Sequence, residues 1–403
     1  MRSQKRKKAQ MRRAMNYLLP GLVACGVGIL AWGTLFQPYH WPKPSPSPEV
    51  PRLNAVAVFE QAAVTFANVP SNAKLKLQNY APGLTKANAP ALPIVRAALK
   101  TNQVALSLFR KALSMQCQYP VARSWNSNVP LRINEVELAN FVVLEGKAHE
   151  ADKDWRAASE SYLDVYEYGI KMGSRSNLIN QLVGTLIQSF GSEPLSRLLD
   201  HCDEATVAHI IRRMTPLYAQ RSPGYMAIQE ERDGMIVRMN EEKPNLQIWQ
   251  NDFERIKFNR ELPLIAKHWQ ATIDWAKTPI YVRSKYPVYP AYEDNPLLKF
   301  LLLSNWAPPN YHSAILDTDK RQTQTQMILV KAYITAYRHK NGVFPLSLKE
   351  LELPTGLEID PYANAPFHYA KPADKMTEPK LYSLGMNKRD DKGSADDLKP
   401  DSD

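Results

Sequence analysis

Apolar and polar positions divide the chain into stretches of different character. From Tyr17 to Phe36 it reads YLLPGLVACGVGILAWGTLF, twenty residues without a formal charge. At 1.5 Å per residue this run matches a hydrocarbon core of roughly 30 Å, so it predicts a single transmembrane helix over 17–36. Prolines at 38, 42, 44, 46, 48 and 51 follow. They fix φ and cannot donate to a ladder, which predicts an extended, polyproline-like spacer over 37–52. From Leu53 to about Asn240 apolar residues recur at three and four positions, as at Val104, Leu106, Leu108, Phe109 and Leu113, and at Leu178, Leu182, Leu186 and Ile187. This is the helical period. Breaks are expected at Pro82–Gly83, Gln118–Pro130, Gly173–Asn177, Gly191–Pro194 and Ser222–Gly224.

The pattern weakens over 241–309. Trp249, Phe253, Phe258, Trp269 and Trp275 keep helix-compatible spacing. Tyr281, Tyr286, Tyr289 and Tyr292 then accompany Pro279, Pro287 and Pro290 in an irregular stretch, read as a long connection packed onto a core. Leu297–Leu303 is too short to cross a bilayer and is interrupted by Lys299. Gln324–Leu351 predicts a helix with Ile328, Ala332, Tyr333 and Tyr337 along one side, stopped by Asn341-Gly342 and followed by Phe344-Pro345. Asp360-Pro361 with Asn364 and Pro366 is turn chemistry. Phe367 and Tyr369 alternate as a strand would, and Leu381, Tyr382 and Leu384 supply its partner. A small antiparallel sheet can then cover the long helix. The expected fold is mainly α: a helical domain over 53–240, a connecting region over 241–309, and an α+β module over 310–397 with a tail at 398–403.

Length and composition narrow the function classes. With 403 residues, 44% hydrophobic and 23% charged, the chain can bury sizeable cores, which excludes wholesale disorder. Sixteen glycines against 31 prolines disfavour glycine-rich phosphate cradles. The net charge is +11, but seven of those charges are Arg2, Lys5, Arg6, Lys7, Lys8, Arg12 and Arg13, leaving +4 for the rest. A nucleic-acid binder would carry its basic stripe on the folded part, so no nucleic-acid partner is expected. The basic residues mark 1–16 as a cytoplasmic arm, and Trp32, Tyr39 and Trp41 lie where interfacial aromatics belong on the opposite side. Everything after about residue 37 is expected to be extracytoplasmic, on a protein of the inner membrane. Two alternatives concern the same run. One is a cleaved secretory signal, against which stand its length and the bulky Leu35 and Phe36. The other is a lipobox at Leu22–Cys25, against which stand the eleven apolar-run residues that follow Cys25.

Phe141–Gly169, FVVLEGKAHEADKDWRAASESYLDVYEYG, resembles one tetratricopeptide-like helical hairpin, with Gly146 at the small position of its first helix and Ala158 and Tyr162 at matching points of the second. Gly146 and Ala158 would allow close approach, Trp155, Tyr162 and Tyr166 would fill the grooves, and Asp152 or Asp154 would cap the second helix. A generic antiparallel helix pair is the alternative. The C-terminal motifs, YRHKNGVFP, DPYAN and LYSLGMNKRDDKGSADD, resemble in this order the globular domain of type II secretion pseudopilins and related pilin-like proteins. The resemblance implies a long helix laid on a small sheet. It also implies a calcium loop after Ser-Leu-Gly, carried over to the Leu384 carbonyl, Asn387 and one of Asp396 or Asp397, with Asp390 and Asp391 as further oxygen donors. Asn387 stands where the family prefers aspartate, and Lys388, Arg389 and Lys392 reduce the local negative potential. A solvated charged tail is the alternative. The hydrophobic span lies far upstream and holds no acidic residue, so fibre assembly is not expected. A docking or structural cap is.

Catalytic motifs are sparse. Histidines at 40, 149, 201, 209, 268, 312, 339 and 368 are dispersed, and none forms H-E-x-x-H. No G-x-S-x-G, P-loop or dinucleotide fingerprint is present. His201, Cys202 and Asp203 are adjacent and point different ways on a helix. Glu135, Glu137, Glu145 and Glu150 read as a hydrated helix face, with a paired-carboxylate site as the alternative. Cys117 and Cys202 would share an oxidising compartment, where either a disulfide or two buried thiols can result. The expected function is a membrane-anchored envelope scaffold that binds other envelope proteins, associated with secretion or pilus-like systems. The alternative is an envelope hydrolase-like enzyme built on dispersed acidic residues.

Overall fold

The computed structural model describes residues 43–66, 92–121, 123–124, 132–240, 252–288, 311–370, 379–394 and 396–400, and the side chains at 239–240 and 252–264 are not considered. The expected cytoplasmic arm, the transmembrane helix with Cys25 and Trp32, Tyr39, Trp41, the Pro82–Gly83 break, Trp249, Tyr289, Tyr292 and Leu297–Leu303 lie outside the described residues. Among the described residues no helix is long and apolar enough to cross a membrane. The chain divides into two compact units: residues 44–240, 272–287 and 310–403 form one, and 1–43, 241–271 and 288–309 the other.

The described part is mainly helical. In chain order the helices are α1 (Ala55–Thr65), α2 (Leu92–Thr101), α3 (Gln103–Leu113), α4 (Ile133–Ala151), α5 (Trp155–Gly173), α6 (Leu178–Leu198), α7 (Glu204–Gln220), α8 (Gly224–Asn240), α9 (Asp252–Lys277) and α10 (Tyr311–Asn341). Four starts are capped by side chains that accept an otherwise orphaned backbone N–H. Asn54 accepts from Val56 at 3.3 Å, Asp154 from Ala157 at 3.0 Å, Asn177 from Asn180 at 2.9 Å and Asp203 from Thr206 at 2.8 Å. Of the two candidates for the α5 cap, Asp154 takes the role and Asp152 pairs with Arg96.

Small residues set the helix spacing. A Cβ added to Gly146 on α4 would stand 2.5 Å from Tyr162 Cε1 on α5. Between α5 and α6 the backbones themselves touch: a Cβ on Gly184 would meet Gly169 O at 2.6 Å and Gly173 N at 2.7 Å, and one on Gly191 would meet Tyr166 N at 2.6 Å. The expected break at Gly191–Pro194 is therefore a correction. Helix α6 runs through both residues, because Gly191 provides the close approach to α5, and buried packing outweighs the hydrogen bond that Pro194 cannot donate.

The supposedly hydrated glutamate face is also corrected. Glu135, Glu145 and Glu150 are buried, because α4 is covered on several sides and its carboxylates are met by cations and hydroxyls. Arg132 pairs with Glu135 at 2.8 Å, Arg110 with Glu145, and Tyr162 donates to Glu150 at 2.6 Å. Neither does the proline spacer run free to its end. Ser45 N donates to Asp233 at 3.0 Å, its hydroxyl accepts from Gln229 at 2.8 Å, and its carbonyl accepts from Arg123 at 2.5 Å, so residue 45 is pinned to α8.

Two hydrophobic clusters form. The first joins α1, α3 and α4 to one side of α5, where the Phe59, Phe109 and Tyr168 rings lie with centroids 4.4 to 5.7 Å apart. The second joins the other side of α5 to α6, α7, α10 and the C-terminal residues Phe344, Leu357, Phe367, Leu381 and Leu398. The helical body and the C-terminal module thus share one core. Helix α10 ends at Asn341 with Gly342 at φ +71°, the left-handed stop that favours glycine. A short 3₁₀ turn at Leu348–Glu350 leads to two antiparallel ladders rather than one sheet: β1 (Ile359–Asp360) with β2 (Ala365–Pro366), and β3 (His368–Ala370) with β4 (Lys380–Tyr382).

Candidate functional site

The C-terminal module is organised by Asp360, whose side chain is fully buried. One oxygen accepts from Tyr362 N at 2.9 Å and Ser383 Oγ at 2.8 Å, and the other from Leu384 N at 2.9 Å. The Asp-Pro turn and the Ser-Leu-Gly segment are therefore joined through one carboxylate. Ser383 also exchanges two backbone hydrogen bonds, each 3.0 Å, with Leu398, which brings the end of the chain alongside. The turn chemistry at Asp360 was legible, but its link to residues 383–384 was not, since partners 23 and 24 positions away leave no local pattern.

After this lock the chain turns through Gly385, Lys388, Lys392 and Gly393, all with positive φ. Asn387 is central to the loop. Its backbone N–H donates to Asp396 at 2.8 Å, and its side-chain amide donates to Asp391 at 2.9 Å and to Asp396. Asp390 turns elsewhere, accepting from Tyr382 Oη at 3.0 Å and Lys392 N at 2.8 Å, while Asp397 is buried and accepts from Gly393 N at 2.8 Å. Leu384 contributes its N–H to Asp360. The six groups carried over for calcium do not converge on one point. Only Asp391 and Asp396 share a partner, and that partner is an amide donor, whereas Ca²⁺ takes six to eight oxygens. Among the described residues no group of three or more His, Cys, Asp or Glu is placed to hold a metal ion. In this arrangement Asn387, Asp391 and Asp396 are joined by hydrogen bonds, while Arg389, Asp390 and Lys392 stay exposed to solvent. Lys388 clamps it by donating to the carbonyls of Tyr281 at 2.9 Å and Arg283 at 3.0 Å.

Beside the module lies a cleft of about 1040 Å³. One wall is a single face of α10, carrying Lys331, Ile334, Thr335, Arg338 and His339. Leu199, Asp200, β4 and Lys399-Pro400 also line it. A smaller cleft of about 510 Å³ is lined by Arg283, Tyr362, Met386 and Lys388. Next to it Arg283 pairs with Asp319 at 2.5 Å and donates to the Thr278 and Ala276 carbonyls. Burial raises the Asp319 carboxyl to about 6, outweighing the nearby guanidinium.

The remaining candidates are occupied by structural roles. Asp203 caps α7, His201 stacks on Trp155 at 5.1 Å, and burial raises the Cys202 thiol to about 12. Cys117 and Cys202 are free thiols, not a disulfide: Cys117 packs beside the first cluster and Cys202 lies in the second. Burial holds Cys117 equally high, at about 12. The acidic residues of α5 are shared among arginines, with Arg213 reaching Glu160 at 2.7 Å, Asp164 at 3.0 Å and Glu167 at 2.9 Å. No protein-family model, curated protein or solved structure matches the chain.

Proposed function

We propose that this chain is a single-pass, membrane-anchored extracytoplasmic scaffold of the bacterial envelope that binds other envelope proteins. In this reading α4 and α5 serve as a tetratricopeptide-like hairpin, and residues 310–397 are a pilin-like cap linked to secretion or pilus-like systems. The supporting observation is the second hydrophobic cluster. It fuses α5, α6 and α7 to α10 and the C-terminal strands, so the module is a built-in end of a helical platform. Such a platform presents fixed surfaces to partners. The buried carboxylates of α4 and α5 add rigidity, since Glu135, Glu145, Glu150 and Asp164 are each engaged by an arginine or a tyrosine.

Protease added to cells with a permeabilised outer layer tests the topology. Digestion of the region after residue 43 is expected, and full protection would overturn the orientation. Proximity labelling from the C-terminus should return a small, reproducible set of envelope proteins, and an empty set would overturn the scaffold role.

A further inference from the structure

The cleft beside α10 has an uneven charge. Among the described residues its lining carries Lys331, Arg338, Lys380 and Lys399 against one carboxylate, Asp200. Lys331 is nearly buried, 6% exposed, and pairs with Asp200 at 3.4 Å. A lysine drawn into a core flank is costly to desolvate, and the Asp200 carboxylate of the lining answers its charge. Seven residues further along the helix, Arg338 lies over the Phe344 ring at 4.6 Å, anchored yet exposed. Ile334, Phe344, Leu381 and Tyr382 are among the other lining residues.

From this we infer that the cleft binds an acidic, extended peptide segment of a partner protein. Arg338, Lys380 and Lys399 are the exposed cations of this lining, while Lys331 is held by Asp200. A partner segment with carboxylates repeated along an extended backbone, which advances about 3.1 to 3.4 Å per residue, offers several of them to these exposed groups at once. A bilayer surface is disfavoured because the cations line a concavity instead of a protruding patch. The choice of a peptide over another polyanion rests on the scaffold reading.

The test uses the full chain in neutral detergent and a fluorescein-labelled peptide of three Glu-Leu-Pro repeats, followed by fluorescence anisotropy. The Glu peptide binds and weakens with added salt. A matching Lys-Leu-Pro peptide does not bind. The double substitution Arg338→Glu, Lys380→Glu lowers affinity on the order of tenfold or more. Both residues are exposed, so the far-ultraviolet circular dichroism spectrum should be unchanged, and Lys100→Glu on α2 should leave binding unaltered. Absence of Glu-peptide binding, equal binding of the Lys peptide, or indifference to the double reversal overturns the inference. So does charge-dependent capture of phosphatidylglycerol vesicles or polyphosphate in place of the peptide. None of these readouts depends on membrane topology, so the peptide site and the envelope placement fail separately.

Discussion

Asp360 shows how one buried charge can hold a fold together. Its carboxylate has no solvent, yet it accepts from Tyr362 N, Ser383 Oγ and Leu384 N. Asp360→Ala strands those donors, and a loss of about 2 to 4 kcal/mol in urea unfolding is expected, with Asp360→Asn intermediate. Asp319 carries a pH signature. Burial raises its carboxyl to about 6, above the ordinary value near 3.9. The folded chain therefore holds that proton more tightly than the unfolded chain. Its contribution to stability is full below about pH 4 and is lost as pH rises through 6. Urea midpoints measured from pH 4 to 7 should fall less steeply for Asp319→Asn than for the parent. Parallel profiles would refute the assignment.

Among the helices, the α5–α6 contact depends on having no side chains. Gly169 and Gly173 on α5 meet Gly184 on α6 backbone to backbone, so an added methyl has nothing flexible to push aside. Gly184→Ala is expected to cost about 3 kcal/mol or to block folding. Gly146→Ala brings its methyl to 2.5 Å from the edge of the Tyr162 ring, a side chain and not a backbone, and should cost less. Guanidinium unfolding of the two variants tests the order, and a larger loss for Gly146→Ala would contradict it. Periodicity gives the helices of 53–240, and Asn341-Gly342 gives the end of α10. Pro194 inside α6 defeats local reading, since proline and glycine together signal a break unless a neighbouring helix rewards continuation.

At the scale of the molecule the shared core predicts shared unfolding. Leu381 on β4 and Val207, Ile210 and Met214 on α7 belong to one cluster, although they are far apart in sequence. Leu381→Ala removes buried volume worth about 2 to 5 kcal/mol. Under hydrogen exchange across a urea series, amides of α7 and β4 should lose protection together, and both should do so earlier in the variant. If β4 opens well before α7 in the parent chain, the module is a separate unit and the platform reading fails.

Much of the site can be read in the residues, and much cannot. The Asp-Pro turn, the Ser-Leu-Gly segment and the cations of 331–399 are all visible in the chain, because turn propensity and charge are local properties. Which of them meet is not local. Asn387 alone cannot say that its amide will occupy the carboxylates of Asp391 and Asp396, and Glu145 cannot announce Arg110 from 35 positions away. By itself the sequence determined the helical character of the body, the stops at Gly173–Asn177 and Gly342, and an antiparallel C-terminal end, since period, cap and turn act over a few residues. Tertiary structure alone decided the fusion of the module to the body, the burial of the α4 glutamates and the gathering of cations into one cleft, because those follow from which surfaces exclude water from each other.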